Sequence, residues 1–347
     1  MTADPPLPQA RTLDHVAQIA GVSRATVSRV INQTRNVDPE IQRVVQEAVA
    51  ATGYVPNRAA RSLVTRRTGL VALAVSMAGA FEEPFMGQVF TDSFFGRALN
   101  GVMRFLRSHD GHLVLMLVDS DQARGQLMGY LRQGEIDGAL VVSLNAQDPL
   151  PGLIADAGLP AVLFARPSRP MPLSYVDVNH HLGTKLAADR LVARGCRRLA
   201  TVAGPQQAVA GQDRLVGINA AMAVHGHPYL PWEEGDFTVA GGEAAMERLL
   251  ARDPDIDGLF VANDLMAQGA LAVLHGRGLR VPEDVAVVGF DDSGAALACR
   301  PLLTTVRQPV EDMAAEMARM LLHRIDEPGE RPTSVIFEPT LVVRESA

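Results

Sequence analysis

At 347 residues the chain amounts to about 2.3 average domains, which excludes a single small module. Apolar residues make up 47% and charged residues 20%, enough to bury a core and too ordered a mixture for global disorder. Residues 1–67 hold nine arginines and five acids, a net +4, while the remainder holds 23 basic and 34 acidic residues, a net −11. Only the basic head is therefore expected to meet a polyanion.

Further classes fall away on simple grounds. No apolar run reaches ~18 residues, so neither a transmembrane helix nor a membrane partner is expected. The opening MTADPPLPQARTLDH has no apolar stretch able to serve as a signal peptide, so a cytoplasmic location is expected. Cys196 and Cys299 read as two reduced thiols rather than a disulfide or metal site. Lys185 is the only lysine, which points to codon bias rather than mechanism.

In chain order, residues 1–11 form a Pro-rich, disordered tail. Residues 12–52 read as three short helices. Thr12 caps the first, which carries Val16, Ala17 and Ala20 and stops at Gly21. Ser23 caps the second, with Val27, Val30 and Ile31 on one face. Asp38 as N-cap, Pro39 behind it and Gly53 past the end bracket the third, whose apolar set is Ile41, Val44, Val45, Ala48 and Val49. His15 stands where an acid would complete a capping box. In YVPNRAARSLVTRRT, Asn57 caps a possible helix from Arg58 to Val64. Seven residues cannot hold a helix alone in water, so this one needs a partner.

From residue 69 the rhythm changes. Short apolar runs (71–76, 113–118, 139–143, 161–165, then 199–204, 258–263, 285–290, and a strand near 305) alternate with amphipathic helical stretches, the signature of parallel sheets covered by helices. DGALVVSLN (137–145) and DGLFVANDL (257–265) echo one another. The echo fits two similar α/β halves, although any buried strand after a tight turn would look alike.

TLDHVAQIAGVSRATVSRVIN (12–32) has helix-turn-helix spacing. The polar face of its second helix carries Arg24, Ala25, Thr26, Ser28, Arg29 and Asn32. Arg grips guanine O6 and N7 with two bonds, and Ala or Thr methyls meet the thymine methyl. Ser23, Thr26 and Ser28 are donors for phosphates. The alternative is a plain three-helix module with a solvated Arg face, which leaves the caps, the turn and the local charge unexplained together.

Here a likeness becomes evident. GVSRATVSRVIN and YVPNRAARSL resemble the head and hinge of the LacI/GalR family of transcriptional repressors. AGP (203–205), RLVG (214–217), VANDLMAQGAL (261–271), VPEDVAVVGFDD (281–292) and LTTVRQP (303–309) continue the resemblance. RAARSLVTRR, LSYVDV and GFDDS resemble the cello-oligosaccharide-responsive repressors of actinobacteria. The resemblance implies a helix-turn-helix DNA-binding domain at 12–56 and a hinge helix and linker at 57–68. It implies a periplasmic-binding-protein-like α/β core at 69–347, built of two doubly wound parallel-sheet lobes, about 69–177 with 308–337 and about 178–307 with 338–347.

Several roles come with it. Arg24, Ala25 and Arg29 match base-reading positions, and Thr12, Tyr54 and Asn57 join the DNA-binding set. Leu63 matches a hinge leucine that wedges into the minor groove, with Ala60 beside it. Such a wedge unstacks a base step for a few kcal/mol, recovered by bending DNA onto more protein. Two hinges meeting at one step imply a homodimer on a pseudo-palindromic operator duplex. No heptad tail follows Arg344, so tail-bundled tetramers are not expected.

For the effector, a sugar (cellobiose or a cello-oligosaccharide), the resemblance implies a hydrogen-bond set of Arg214, Asn263, Asp291 and Gln308. Phe237 takes the stacking position, and Arg166 and Phe95 are added. Asp264 and Asp292 read better as helix caps than as ligand contacts, and Asn263 has the same alternative. Val310 replaces an aromatic of some relatives. Met77–Ser93, with Phe81, Phe85 and Phe90, reads equally as a cleft wall or as a surface or dimer-contact loop.

Competing classes lack support. GxGxxG after a strand, GxxxxGK[ST], GxSxG and HExxH are all missing, so neither an enzyme nor a nucleotide cofactor is expected. The pairs His109/His112, His180/His181 and His225/His227 read as surface histidines. A plain sugar-binding protein has no use for the basic head. A nucleobase co-repressor is the alternative effector within the family.

Overall fold

The computed structural model describes residues 12–31, 37–54, 67–76, 93–143 and 145–347. Two compact units emerge, Met1–Gly69 and Leu70–Ala347. Asn32, Asn57, Ala60 and Leu63 lie outside the described residues, as do the 58–64 helix and all of the Met77–Ser93 stretch except Ser93.

Within the first unit, α1 (Leu13–Ala20), α2 (Arg24–Ile31) and α3 (Pro39–Thr52) begin and end on the expected residues. Thr12 accepts a bond from the His15 amide and Asp38 one from the Glu40 amide. Ser23 Oγ accepts from Thr26 N at 3.1 Å. Gly21 (φ 64°) and Gly53 (φ 58°) take the left-handed turn that closes α1 and α3, a conformation glycine adopts without strain. Val16, Ala17, Ala20, Val27, Val45 and Ala48 form the core of this unit, with Tyr54 packed against it.

The second unit has two lobes. In the first, β1 (Leu70–Ser76), β2 (His112–Val118), β3 (Gly138–Ser143), β4 (Ala161–Phe164), β5 (Ser174–Val178) and β11 (Ser334–Phe337) pair in the order β11-β5-β4-β3-β1-β2, all parallel. Its helices are α4 (Ser93–Arg107), α5 (Asp121–Gln133), α6 (Leu150–Asp156) and α12 (Val310–Asp326). The second lobe pairs β6 (Leu199–Ala203), β7 (Trp232–Glu234), β8 (Gly258–Val261), β9 (Ala286–Asp291), β10 (Thr304–Arg307) and β12 (Thr340–Val342) in the order β12-β10-β9-β8-β6-β7. Here only β12 runs antiparallel. Its helices are α7 (His180–Ala193), α8 (Val209–Val224), α9 (Val239–Arg252), α10 (Asp264–Gly276) and α11 (Gly294–Ala298).

Burial explains the apolar runs. A parallel sheet covered on both faces needs strands apolar on both sides. β1, β3, β4, β8 and β9 accordingly bury nearly every residue. The DGA and DGL echo has a structural cause. Gly138 and Gly258 open β3 and β8, which occupy the same place in the two sheets. A Cβ on Gly138 would sit 2.8 Å from Leu321 Cδ1, and one on Gly258 2.6 Å from Leu199 Cδ2. In each lobe a side chain at this position would force a neighbouring leucine to move.

The chain passes between the lobes three times, at 178–180, 307–310 and 337–340. Strands β5, β7, β11 and β12 go beyond the strands expected from sequence. β7 and β12 are three residues long, and β5 (SYVDV) and β11 (SVIF) open on serine, so none makes a sustained apolar run.

Candidate functional site

Two surfaces match the sequence expectations, one in each unit. On the first, α2 leaves Arg24, Ala25 and Arg29 exposed, with Thr26 and Ser28 half-buried and Val27 turned inward. That face has the small and forked side chains a major groove admits. One expectation is altered. Ser23 Oγ and Thr26 Oγ1 lie 2.9 Å apart and share a hydrogen bond, so the pair offers a phosphate one hydroxyl proton rather than two. Thr12 is exposed, while Tyr54 sits against the core.

The second surface is a cleft of about 730 Å³ between the lobes, within the usual range for small-molecule sites. Arg214, Phe237, Asn263, Asp291, Gln308, Arg166 and Phe95 all line it. They arrive from far-separated segments: Arg166, Phe237, Asn263, Asp291 and Gln308 lie at or just past strand ends, and Arg214 and Phe95 lie within the first two turns of α8 and α4.

Arg214 organises the floor. Its guanidinium lies 3.8 Å above the Phe290 ring and 6.0 Å from that of Phe237. It donates from Nε to His180 Nδ1 at 3.3 Å and from Nη1 to the Ala262 carbonyl. Nη2 donates to Asp291 Oδ1 at 3.1 Å and to Gln308 Oε1 at 2.9 Å. Four of its five N–H groups are spent inside the protein, which leaves at most one for a ligand. Arg214 is therefore as much a scaffold as a reader.

Asn263 has both roles weighed for it. Its Oδ1 caps α10 by accepting from Met266 N at 2.9 Å, while its Nδ2 donates to the Phe237 carbonyl at 3.0 Å. Phe237 itself has a left-handed backbone (φ 68°), unusual for an aromatic residue. Its ring lies over Gly204, where a Cβ would come within 2.5 Å of it. Asp291 (φ 108°) and Ala165 (φ 74°) line the same cleft with similarly rare backbones. Strain of order 1–3 kcal/mol per residue persists only where neighbours over-determine it, as at binding sites.

Arg166 follows β4 in one lobe and grips Asp213 on α8 in the other through Nε and Nη2, a two-bond ion pair across the cleft. Phe95 is largely buried in the first lobe's core, and Phe94 and Phe164, 5.0 Å apart edge to face, complete that wall. The cleft thus has an aromatic plate on each lobe.

Several readings change with the structure in hand. His180 is not a surface residue. It is 5% exposed on the cleft floor, between Asp177 and Arg214. Burial pushes its imidazole below the usual pKa, opposed by Asp177 and assisted by the Arg214 charge. Asp177 stays below the usual carboxylate range: burial opposes this, but the His180 ring and two backbone amides outweigh it. The His180 signal was the Asp177–His180 spacing of three at a strand-to-helix junction.

Asp264 and Asp292 neither cap helices nor line the cleft. Asp264 begins α10 but accepts from Thr305 Oγ1 and, at 2.7 Å, from Ser293 N. Asp292 holds Arg307 at 2.7 Å and Arg344. Burial, with the nearby Asp291 charge, pushes Asp264 up to about 8. Its folded pKa exceeds the unfolded value of about 3.9. The stability from its neutral form is therefore complete below pH ~4 and is lost as pH rises through about 8. Asp264→Asn, which can accept from Ser293 N and donate to Thr305, is expected to flatten that decline in thermal melts from pH 5 to 9. A wild-type melting temperature that does not fall over this interval would refute the neutral carboxyl.

Sequence gave no sign of Arg97. From α4 it donates to Glu311 Oε1 and Oε2 at 2.8 Å and to the carbonyls of Asp291 and Gln308 at 2.9 Å. Cys196 and Cys299 are buried free thiols. Among the described residues no cluster fits a metal ion, and no helix is long and apolar enough to cross a membrane.

Comparison with known proteins matches segments in both units. Residues 12–57 match the model for bacterial regulatory proteins of the lacI family, and residues 188–347 match a periplasmic binding protein-like domain. The chain is 45% identical over 340 residues to the HTH-type transcriptional regulator CelR of Thermobifida fusca, covering 96% of this chain and 98% of that one. It is 31% identical to the ribose operon repressor of Escherichia coli K12, covering 97% and 99%. Among solved structures it is similar to a CelR–cellobiose complex (TM-score 0.76, 43% identity, 97% and 99% covered). It is also similar to a Lac repressor dimer bound to operator and the anti-inducer ONPF (TM-score 0.77, 26% identity, 96% and 98% covered).

Proposed function

This chain belongs to the LacI family of bacterial regulatory proteins and is a transcriptional regulator; from that premise we propose that it is a homodimeric repressor of sugar-utilisation genes that cellobiose, or a short cello-oligosaccharide, releases from a pseudo-palindromic operator. The carrying observation is the cleft. Arg214, Asp291, Gln308 and Asn263 converge at the sheet edge between Phe237 on one lobe and the Phe94–Phe164 wall on the other. Planar polar groups suit sugar hydroxyls and aromatic plates suit the C–H faces of a pyranose. The similarity to a cellobiose complex supports the disaccharide.

On the DNA side, Arg24, Ala25 and Arg29 read bases, and the segment 57–68, with Leu63 at its centre, is the hinge. The decisive assay selects a duplex from a random pool with the ligand-free protein and measures its affinity with and without cellobiose. Sugar-driven release supports the reading; unchanged binding sinks it, and a thermal-shift screen of other sugars and nucleobases then finds the true effector. On the selected duplex, Arg29→Ala is expected to lose discrimination by ~1–3 kcal/mol at one base pair. Uniform weakening on all sequences would make Arg29 a phosphate contact instead.

A further inference from the structure

We propose that His180 is the positioning residue that holds the Arg214 guanidinium in its ligand-reading pose, acting as a neutral imidazole that accepts from Arg214 and donates to Asp177. The inference rests on the sugar-binding reading of the cleft and adds a residue to it.

The argument is one of donors and acceptors. Arg214 Nε is always protonated and can only donate, so His180 Nδ1, 3.3 Å away, must be the bare nitrogen. The ring hydrogen then sits on Nε2, which faces Asp177 Oδ1 at 3.4 Å. This fixes one tautomer. A second proton would set N–H against N–H and a cation against a cation.

The ring is also placed where it matters. His180 begins α7 directly after the 178–180 crossover between lobes, and Asp177 ends the crossing strand β5. The ring leans on Phe290 at 5.9 Å, the same ring that carries the Arg214 guanidinium. Asp177 Oδ2 in turn accepts from Arg166 N at 3.0 Å. A chain of contacts thus runs from the first lobe through His180 to the arginine on the cleft floor.

Charged groups face the ring from three elements. Asp177 faces it from β5, Asp213 and Arg214 from α8, and Asp291 from the end of β9. Arg166 is held away by its pairing with Asp213. The carboxylates favour protonation of the ring, whereas burial and Arg214 oppose it and prevail, so the imidazole stays neutral above its ordinary titration range.

Three proteins decide the matter: wild type, His180→Phe and His180→Gln. Glutamine offers a carbonyl to Arg214 and an amide to Asp177; phenylalanine keeps the ring and loses both bonds. Calorimetry with cellobiose is expected to show wild-type affinity flat from pH 8 down through the ordinary histidine range near ~6.5 and falling only at lower pH, because burial holds the ring's pKa down. The Gln variant should stay within about threefold of wild type at pH 7.5 and lack that acid limb. The Phe variant should bind about tenfold more weakly at pH 7.5. A Phe variant that binds like wild type, or a Gln variant that keeps the acid limb, overturns the proposal.

A second arm needs no sugar. The ¹⁵N histidine spectrum of the ligand-free protein, assigned by loss of one signal in the Gln variant, should show an Nε2–H tautomer at pH 7.5. An Nδ1–H tautomer or an imidazolium overturns the proposal even if the Phe variant folds poorly. If the spectrum is as expected but wild type ignores cellobiose, the sugar reading fails and the positioning role stands.

Discussion

Arg214→Ala should yield a repressor that holds its operator and no longer responds to sugar. Arg214 is 4% exposed, and its guanidinium bonds His180, the Ala262 carbonyl, Asp291 and Gln308. Removing it takes a donor from the cleft floor and leaves the Asp291 carboxylate buried beside Asp264, with one of the two arginine charges that oppose its upward shift gone. Loss of one partner of a buried charge pair typically costs about 3–5 kcal/mol of stability, and loss of one charged hydrogen bond to a ligand about 1.5–3 kcal/mol, so sugar affinity should fall roughly 10- to 100-fold. Calorimetry with sugar and anisotropy with operator check the two halves separately. Retained operator affinity with no sugar response is the expected pattern. Normal release by sugar would show that ligand reading does not pass through this residue.

Arg97→Met is the second large effect, in a residue on the first lobe that touches the second. Arg97 pairs with Glu311 through two bonds and supplies donors to the carbonyls of Asp291 and Gln308. The side chain is partly buried at 19% exposure, so the pair is screened less than a surface pair. Its reach depends on a close helix approach: a Cβ on Gly101, one turn along α4, would lie 2.2 Å from the Glu311 carbonyl. Methionine fills the space and offers no donor, so the Asp291 and Gln308 carbonyls keep only their backbone partners, Gln308 N at 3.4 Å and Val310 N at 2.8 Å, and Glu311 loses its arginine. We expect a loss of about 2–3 kcal/mol and a melting temperature lower by roughly 5 °C. Sugar affinity should fall as well, because the strained Asp291 backbone (φ 108°) loses a constraint. An unchanged melt would mean the lobes are locked elsewhere, with the Arg166–Asp213 pair the obvious alternative.

The sequence was most informative where chemistry is local. Thr12, Gly21, Ser23, Asp38, Pro39 and Gly53 act on neighbours within a few residues, so the caps of the three head helices could be assigned directly. Fully buried strands show as apolar runs, which made β1, β3, β4, β6, β8 and β9 visible. The short strands β7 and β12 escaped because three residues cannot establish a period. In the cleft, Arg214, Phe237, Asn263, Asp291 and Gln308 came from motif resemblance, and the structure brings them to one cavity. Their individual duties were not legible: Asn263 both caps and lines, and Asp264 and Asp292 serve backbone and arginine partners instead of helix ends.

Linear chemistry was enough to define a basic three-helix head and an acidic α/β body, since charge, capping and burial periodicity act over short spans; the residues of the polar cleft came from resemblance. His180, Arg97 and the Arg166–Asp213 pair needed the folded chain. Their partners lie 34, 214 and 47 residues away, and the sheet order brings them together. Long-range pairing leaves no periodic trace, because a strand-end residue can face any segment that the crossovers deliver to the same edge.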